Sequence, residues 1–321
     1  MRDSFNRTID YMRISITDRC NLRCKYCMPQ EGIEKVSMSK ILTYEEILRI
    51  CRASVTLGIN RFKITGGEPL VRKGCPDLCR EIKQIPGVEQ VTITTNGQLL
   101  KDYMPKLIEA GIDGINISLD SLQEDRYRLI TGGGILSETL KGLDAAQESG
   151  IRTKVNCLLQ KNFNEDELLD FAEMAFGRGI DVRFIEIMPI GFGKPDTGLS
   201  NEIVLQRLQA ALPQLTLDQS TRGNGPAVYY AIPGKPGSIG LISAMHGRFC
   251  ESCNRIRLTS QGQIKPCLCY EDSCDLKPAL AEQRDERLVE TLRDAIGRKP
   301  SGHTFEDIKT VERRSMVEIG G

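Results

Sequence analysis

The sequence has no tryptophan and only two histidines, His246 and His303, among its 321 residues. Two histidines argue against a histidine-rich metal site, because such sites use several imidazole ligands. Aromatic residues make up 5% of the chain, which leaves few stacking platforms for a nucleic-acid-binding module. Lysine plus arginine equals aspartate plus glutamate at 43 each, so no net charge draws the protein towards nucleic acid or membrane. Any anion site must therefore be built locally.

Long apolar runs are also missing. No run approaches the roughly 20 residues needed to cross a bilayer, and residues 1–10 are polar, without the apolar core of a signal peptide. These absences predict a cytoplasmic protein that does not enter a membrane. Hydrophobic residues make up 40% and charged residues 27%, which is ordinary for a globular protein of one large or two unequal domains.

Cysteine, by contrast, is plentiful, with 12 residues. In a reducing compartment, grouped cysteines indicate metal or redox chemistry more often than disulfides. Cys20, Cys24 and Cys27 bring three thiolates into one short loop. Three thiolates can hold three irons of a cubane cluster and leave the fourth iron open, which is typical of a catalytic site. The alternatives are a zinc knuckle without a visible fourth ligand, or unrelated thiols.

The first 190 residues alternate between strand-like and helix-like segments, which predicts a parallel α/β fold. Periodicity alone leaves an incomplete barrel and a doubly wound sheet both open. A capping box of Thr43 and Glu46 opens the first helix, which stops near Gly58, and Asn164 is a candidate N-cap of the last. The predicted strands are residues 12–17, 61–65, 90–95, 114–119, 152–159 and 181–188, and the other four helices are 77–85, 101–110, 137–149 and 165–178.

Chemically unusual residues follow the strands. The first strand leads into the cysteine loop and the second into Gly66-Gly67-Glu68-Pro69; the third, fourth and sixth lead into residues 94–97, 118–120 and 186–189. Because ligands bind at the carboxyl edge of parallel sheets, we expect these loops to share one cavity. The two glycines are expected to free backbone amides, with Glu68 as an acceptor, for the amino group of a bound amino-acid moiety.

A second cysteine group follows residue 191, where glycine, proline and asparagine become frequent. Cys250, Cys253 and Cys267 form a set of three, with Cys269 and Cys274 close behind. From spacing alone a zinc ribbon and an iron–sulfur cluster are equally supported. Ordinary buried thiols are the expectation for the cysteines outside both groups: Cys51, Cys75, Cys79 and Cys157.

Basic residues lie on the predicted strands. Arg255 and Arg257 alternate, so that in a strand both would point to one face. A cation inside a barrel is costly unless an anion meets it, so a set of such cations predicts an anionic ligand, for which a triphosphate is suitable. The other members are Arg13, Lys63, Lys154 and Arg183.

Cys20 to Pro29, residues 65–69, 94–97 and 116–120 together resemble the GTP 3′,8-cyclases of molybdenum cofactor biosynthesis, a family of radical S-adenosylmethionine (SAM) enzymes. The likeness covers nearly the whole chain. It implies an incomplete (β/α)6 TIM-like barrel of residues 1–190 and a C-terminal region, residues 191–321, that closes the barrel mouth.

The resemblance also implies roles for individual residues. Cys20, Cys24 and Cys27 would hold a 4Fe–4S cluster that binds SAM, and Cys250, Cys253 and Cys267 a second 4Fe–4S cluster whose open iron binds the guanine of GTP. Four positions correspond to SAM contacts: Tyr26, Gly67, Ser118 and Met188. Seven correspond to GTP contacts: Arg13, Lys63, Thr94, Lys154, Arg183, Arg255 and Arg257. Arg13, Gly320 and Gly321 would take part in catalysis, although composition alone makes residues 319–321 a flexible tail.

The implied reaction begins with a 5′-deoxyadenosyl radical that abstracts hydrogen from C3′ of GTP; the ribose radical adds to guanine C8 and is then reduced. The implied partners are a ferredoxin or flavodoxin electron donor and a cyclic pyranopterin monophosphate synthase downstream. The oligomeric state stays open, a homodimer included. The alternative is a peptide-modifying radical SAM maturase, which predicts a longer C-terminal run of cysteines. A zinc-binding nucleic-acid module, a third hypothesis, conflicts with the neutral charge.

Overall fold

The computed structural model describes residues 1–34, 36–247, 249–282 and 284–320. Within these residues one twelve-stranded sheet has the order β12-β11-β10-β1-β2-β3-β4-β5-β6-β9-β8-β7. The strands are β1 (Tyr11–Ser15), β2 (Arg61–Thr65), β3 (Gln90–Thr95), β4 (Gly114–Ser118), β5 (Thr153–Cys157), β6 (Asp181–Ile185), β7 (Thr216–Asp218), β8 (Val228–Ala231), β9 (Ser238–Ile242), β10 (Arg255–Leu258), β11 (Gln263–Lys265) and β12 (Cys274–Asp275).

Strands β1 to β6 lie side by side in chain order and are all parallel, which confirms the predicted (β/α)6 arrangement. The C-terminal region then adds a parallel strand at each edge, β10 beside β1 and β9 beside β6. The outer strands are antiparallel. Residues far apart in sequence, such as Arg13 and Arg257, therefore become neighbours in the sheet.

The helices are α1 (Tyr44–Thr56), α2 (Cys75–Lys83), α3 (Leu100–Glu109), α4 (Glu124–Thr131), α5 (Leu136–Glu148), α6 (Leu168–Arg178), α7 (Asn201–Ala211), α8 (Lys277–Ala281), α9 (Glu286–Gly297) and α10 (Met316–Ile319). Short 3-10 turns occupy Met38–Lys40, Pro69–Val71, Glu165–Glu167, Pro195–Thr197, Phe249–Ser252 and Ile308–Thr310. Within the described residues, no helix combines the length and apolar character needed to span a bilayer.

Thr43 and Asn164 were the two residues predicted to cap helices. The capping box of Thr43 and Glu46 is present, with both bonds formed at the start of α1. Asn164 does occupy the N-cap position of the 3-10 turn that leads into α6, but its side chain makes no cap bond: its Nδ2 donates to the carbonyl oxygens of Asp120 and Leu158 instead. The polar side chain thus joins two strand ends rather than a helix start.

Each parallel strand separates an apolar face from a polar one. Met12 and Ile14 on β1 are fully buried beneath the helices, while Arg13 between them faces the barrel interior. The same alternation puts Lys63 between Phe62 and Ile64 on β2. The core therefore lies between sheet and helices, and the interior is free for polar side chains. The four cysteines expected to be buried are 0% exposed: Cys51, Cys75, Cys79 and Cys157.

Candidate active site

A cavity of about 350 Å³ lies at the carboxyl edge of the parallel strands, and both cysteine groups line it. A smaller chamber of about 130 Å³ adjoins it towards the barrel interior, and Arg13, Thr94 and Arg255 line both spaces. The predicted site residues are brought together here. The residues that line the chamber are Lys63, Lys154 and Arg183. Those that line the large cavity are Cys20, Cys24, Cys27, Tyr26, Gly67, Ser118, Met188, Cys250, Cys253, Cys267 and Arg257.

The first cysteine loop is held in place by α4, a helix that the sequence analysis did not predict. The amides of Arg23 and Lys25 donate to the carbonyl oxygens of Thr131 at 2.7 Å and Ile130 at 3.0 Å. These bonds use carbonyl groups that the end of a helix leaves without an intrahelical partner. Helix α4 therefore fixes the backbone that carries the three thiols.

Burial controls the acidity of these thiols. It raises the pKa of Cys20 to about 11 and that of Cys27 to about 12, and it raises the pKa of Cys24 well above its usual range. Metals bind the thiolate, so iron would displace protons from all three side chains.

Glycine is required at position 67 because the first cysteine loop passes directly over it. A Cβ there would lie 2.4 Å from the carbonyl oxygen of Arg19. The expectation that the glycines free their amides was wrong for Gly67, whose amide donates to Thr17 O at 2.7 Å. Glu68, expected to accept from a ligand, already accepts from the amide of Asn96 at 2.7 Å. The motif therefore joins the loops that follow β1, β2 and β3.

Tyr26 is fixed on the cavity wall by a buried carboxylate. Its hydroxyl donates to Asp120 Oδ2 at 2.6 Å, and Asp120 Oδ1 accepts from the amide of Leu158 at 2.9 Å. Burial raises the pKa of Asp120 to about 6, although both bonds act in the opposite direction. The tyrosine ring consequently has a defined orientation beside the first cysteine loop.

The second cysteine group lies beside positive charge. Arg255 Nη2 is 3.8 Å from the sulfur of Cys253. Burial raises the pKa of Cys253, but Arg255 and Lys299 outweigh burial and bring it down to about 7. Lys299 also donates to the carbonyl oxygens of Arg255 and Pro266, each at 2.7 Å. No motif indicated Lys299, because its partners come from segments distant in sequence.

Cys269 and Cys274 occupy different places. Cys269 is 1% exposed and lines the same cavity as Cys267, and burial raises its pKa to about 11. Cys274 lies on β12 at the edge of the sheet, opposite Ile264. Cys269 is therefore the additional thiol next to the second site.

Three of the predicted cations form a row across adjacent strands. Arg13 on β1 is in register with Arg257 on β10 and with Lys63 on β2. Residues in register point to the same face of a sheet, so the three side chains stand together. Burial lowers the pKa of Lys63 well below its usual range, and Arg183 and Arg13 lower it further. Lys63 meets no carboxylate within the part of the chain that the structure describes. The row is thus suited to an anion.

Lys154 is different, because the protein already supplies its anion. Its Nζ lies 2.8 Å from Asp181 and 2.9 Å from the hydroxyl of Tyr229, and it also donates to the carbonyl oxygen of Arg222. The argument that a strand cation needs a substrate anion is therefore wrong for Lys154. Arg183, by contrast, donates to the neutral amide oxygen of Asn116 at 2.8 Å.

Asn156 also lines the candidate site, although no sequence motif indicated it. It is in register with Ser118 on one side and Arg183 on the other, and it lines both spaces. Its buried Oδ1 has no hydrogen-bond partner among the described residues. Buried polar atoms are nearly always bonded, so this oxygen marks a place where a ligand could donate.

The end of the described chain packs against β1. Ile319 is 0% exposed, and Arg257 Nη1 donates to the carbonyl oxygen of Gly320 at 3.3 Å. A Cβ on Gly320 would lie 2.6 Å from that of Ser15, so glycine permits this close approach. The expectation of a flexible tail was therefore wrong up to Gly320. Gly321 lies outside the described residues.

The chain is similar to known proteins over its whole length. Residues 14–175 match the Radical SAM superfamily and residues 180–305 match Molybdenum Cofactor Synthesis C. A GTP 3′,8-cyclase of Clostridium perfringens (strain SM101 / Type A) is 42% identical, and one of Alkaliphilus metalliredigens (strain QYMF) is 46% identical, each over 100% of both chains. Streptococcus suis SuiB bound to S-adenosylmethionine matches with a TM-score of 0.65 at 15% identity, over 97% of this chain and 77% of SuiB. That last likeness concerns the fold alone.

The barrel and the cysteine loop after β1 define a radical SAM enzyme. The chain belongs to the GTP 3′,8-cyclase family, whose members act in molybdenum cofactor biosynthesis and use SAM and two 4Fe–4S clusters. The donors fit these groups, because thiolates are the usual ligands of iron–sulfur clusters and two sets of three thiols line one cavity. Among the described residues no three acidic, histidine or cysteine side chains converge on one ion. In an iron–sulfur cluster each thiolate binds a different iron atom, so the ligating thiols need not converge on a single ion.

Proposed function

We propose that this protein converts GTP into (8S)-3′,8-cyclo-7,8-dihydroguanosine 5′-triphosphate. The observation that carries the proposal is the row of Arg257, Arg13 and Lys63, which borders the cavity lined by both cysteine groups. A triphosphate supplies negative charge beside Lys63, which meets no carboxylate among the described residues, and arginine side chains bind phosphate oxygens in a fork geometry.

The cysteine positions support two cluster sites. Cys20, Cys24 and Cys27 hold the cluster that binds SAM, and the second cluster, open towards guanine, is held by Cys250, Cys253 and Cys267. When bound, the first cluster and SAM supply the radical that abstracts hydrogen from C3′ of GTP before C3′ joins C8. The residues assigned to SAM are Tyr26, Gly67, Ser118 and Met188.

The chain's own contribution is to hold the nucleotide between the two cysteine groups. Phosphate and sugar contacts are assigned to Arg13, Lys63, Thr94, Arg183, Arg255 and Arg257. Lys154 adds positive charge to the chamber while its ammonium group stays with Asp181, and Asn156 Oδ1 accepts from a ligand hydroxyl. Gly320 completes the site beside Arg257, and Gly321 is assigned a part in catalysis. Such positioning matters because a small misplacement of reacting atoms slows a reaction strongly.

The partners complete the proposal. A low-potential ferredoxin or flavodoxin supplies electrons, because cleavage of SAM consumes one electron and reduction of the cyclised nucleotide radical consumes a second together with a proton. A pyranopterin-forming synthase takes the cyclised nucleotide, and the reaction takes place in the cytoplasm, where thiols stay reduced.

Equilibrium binding of GTP under anaerobic conditions tests the central observation. Arg257→Ala should weaken binding by about 1–3 kcal/mol, the range for a hydrogen bond that involves a charged group. Arg61 on β2 is the matched control, because Asp10 and Glu89 already pair with its guanidinium group. Arg61→Ala should bind GTP as the unaltered protein does. Normal GTP binding by a protein that lacks both Arg13 and Arg257 would refute the proposed site.

A further inference from the structure

A fully buried ion pair connects the loop that carries Cys267 and Cys269, here called the second cysteine loop, to the segment just before the C-terminal tail, residues 315–320. Lys265 and Glu312 have 0% exposed side chains, and Lys265 Nζ contacts a carboxylate oxygen of Glu312. We propose that this pair positions the tail, so that the tail takes its place only when the second cysteine loop is formed. The inference rests on the proposed function, which puts the tail in the active site.

Lys265, the cation of the pair, is bonded to the second cysteine loop. Lys265 ends β11, just before Cys267, and its Nζ also donates to the carbonyl oxygen of Tyr270 at 2.6 Å. The backbone of Glu312 joins the same loop, because its amide donates to Cys269 O at 2.6 Å. The carbonyl oxygens of Cys269 and Tyr270 are therefore bonded to Glu312 and to its partner Lys265, respectively.

Glu312, the anion of the pair, is bonded to the residues that directly precede the tail. Glu312 Oε1 accepts from the amide and from Nε of Arg314, each at 3.0 Å. Ser315 and Glu318 then form the capping box that starts α10. Helix α10 ends next to Gly320, whose carbonyl oxygen meets Arg257. A continuous chain of bonds thus runs from the second cysteine loop to the cation row.

Energetics favour a positioning role over a stabilising one. A buried ion pair is weak evidence for stability, because apolar residues of similar size often replace it without loss, whereas loss of one partner leaves a buried charge. What such a pair can provide is a specific register between two segments. The chain also offers a control: Arg313 and Glu271 join the same two segments, but they are 3.8 Å apart with side chains 78% and 59% exposed. An exposed pair of this kind contributes little.

Hydrogen exchange of residues 315–320 in the cluster-loaded protein tests the inference. Glu312→Gln should speed exchange in the tail by about tenfold or more while the amides of β1 to β6 stay protected. Arg313→Ala should leave tail exchange unchanged. Because Glu312→Gln could fail to fold, the double variant Lys265→Met/Glu312→Met removes both charges and keeps the site filled. It should melt near the unaltered protein and still show fast exchange in the tail.

Turnover supplies a second readout. The double variant should produce less cyclised nucleotide per 5′-deoxyadenosine, and removal of Gly320 and Gly321 should lower that ratio by less in the double variant than in the unaltered protein. Full tail protection and full coupling in the double variant would overturn the inference, as would an equal effect of Arg313→Ala. If the unaltered protein made no cyclised nucleotide, the proposed function would fail, but the exchange measurement would still decide the role of the pair.

Discussion

Arg257 donates a hydrogen bond from Nη1 to the carbonyl oxygen of Gly320 at 3.3 Å, and it is also in register with Arg13. The end of the described chain therefore meets the row of cations. Burial lowers the pKa of Arg257 well below its usual range, and Arg13 and Arg255 act in the same direction. A buried guanidinium group needs acceptors, and Gly320 provides one. Tail and anion site are thus one structural unit.

Removal of Gly320 and Gly321 should abolish cyclised product. Ile319 and the rest of the core remain, so we expect the melting temperature and the iron content to stay close to those of the full chain. Slow SAM cleavage without cyclisation should persist, because the reacting atoms are no longer held in place. Anaerobic assays that score 5′-deoxyadenosine and cyclised nucleotide separately check this. Coupled turnover by the shortened protein would contradict it.

Lys63→Met should stabilise the protein in the absence of nucleotide. The folded-state pKa of Lys63 lies well below its unfolded value of about 10.4, so the unfolded chain binds more protons between these two values. The free energy of unfolding of the unaltered protein therefore falls as the pH falls through that window. Lys63→Met has no ammonium group at this position, so it does not lose stability in this way. Its melting temperature should exceed that of the unaltered protein more at about pH 7 than at about pH 9.5, while GTP raises it less than it raises that of the unaltered protein. A variant less stable at both pH values would contradict the role of Lys63.

Cys24→Ala should abolish reductive SAM cleavage while the second cluster still assembles. The matched control is Cys79→Ala, which removes a fully buried thiol from α2. Iron analysis and quantification of 5′-deoxyadenosine test both variants. SAM cleavage at a normal rate in Cys24→Ala would remove Cys24 from the first site.

Cys269→Ser and Cys274→Ser should each keep their full iron content. Cys274 lies on an edge strand, and Cys269, although it lines the cavity, is not needed if three thiolates leave one iron open. Loss of about half the iron from Cys269→Ser would mean that four cysteines hold the second cluster.

Local signals made the barrel predictable. The strands β2 and β3 begin and end where the sequence pattern puts them, and the Thr43–Glu46 capping box marks the start of α1. Helix α4 escaped prediction because its eight residues include four charged side chains and few apolar positions. Its role in holding the cysteine loop follows only from tertiary contacts.

The site was predictable where a motif names its residues and not where distant residues pair. The cysteine groups and the row of strand cations follow from spacing and alternation. The partner of Lys265, by contrast, lies 47 residues away, and nothing local marks Glu312. Lys154 looked like an unmatched cation because Asp181 joins it only through the register of β5 and β6.

The most direct test uses GTP that carries deuterium at C3′. The reconstituted protein would be incubated anaerobically with this GTP, SAM and a reductant, and the 5′-deoxyadenosine formed would be analysed by mass spectrometry. The account predicts that deuterium moves into 5′-deoxyadenosine together with formation of the cyclised nucleotide. Unlabelled 5′-deoxyadenosine from this GTP, alongside normal SAM cleavage by the unaltered protein, would contradict it.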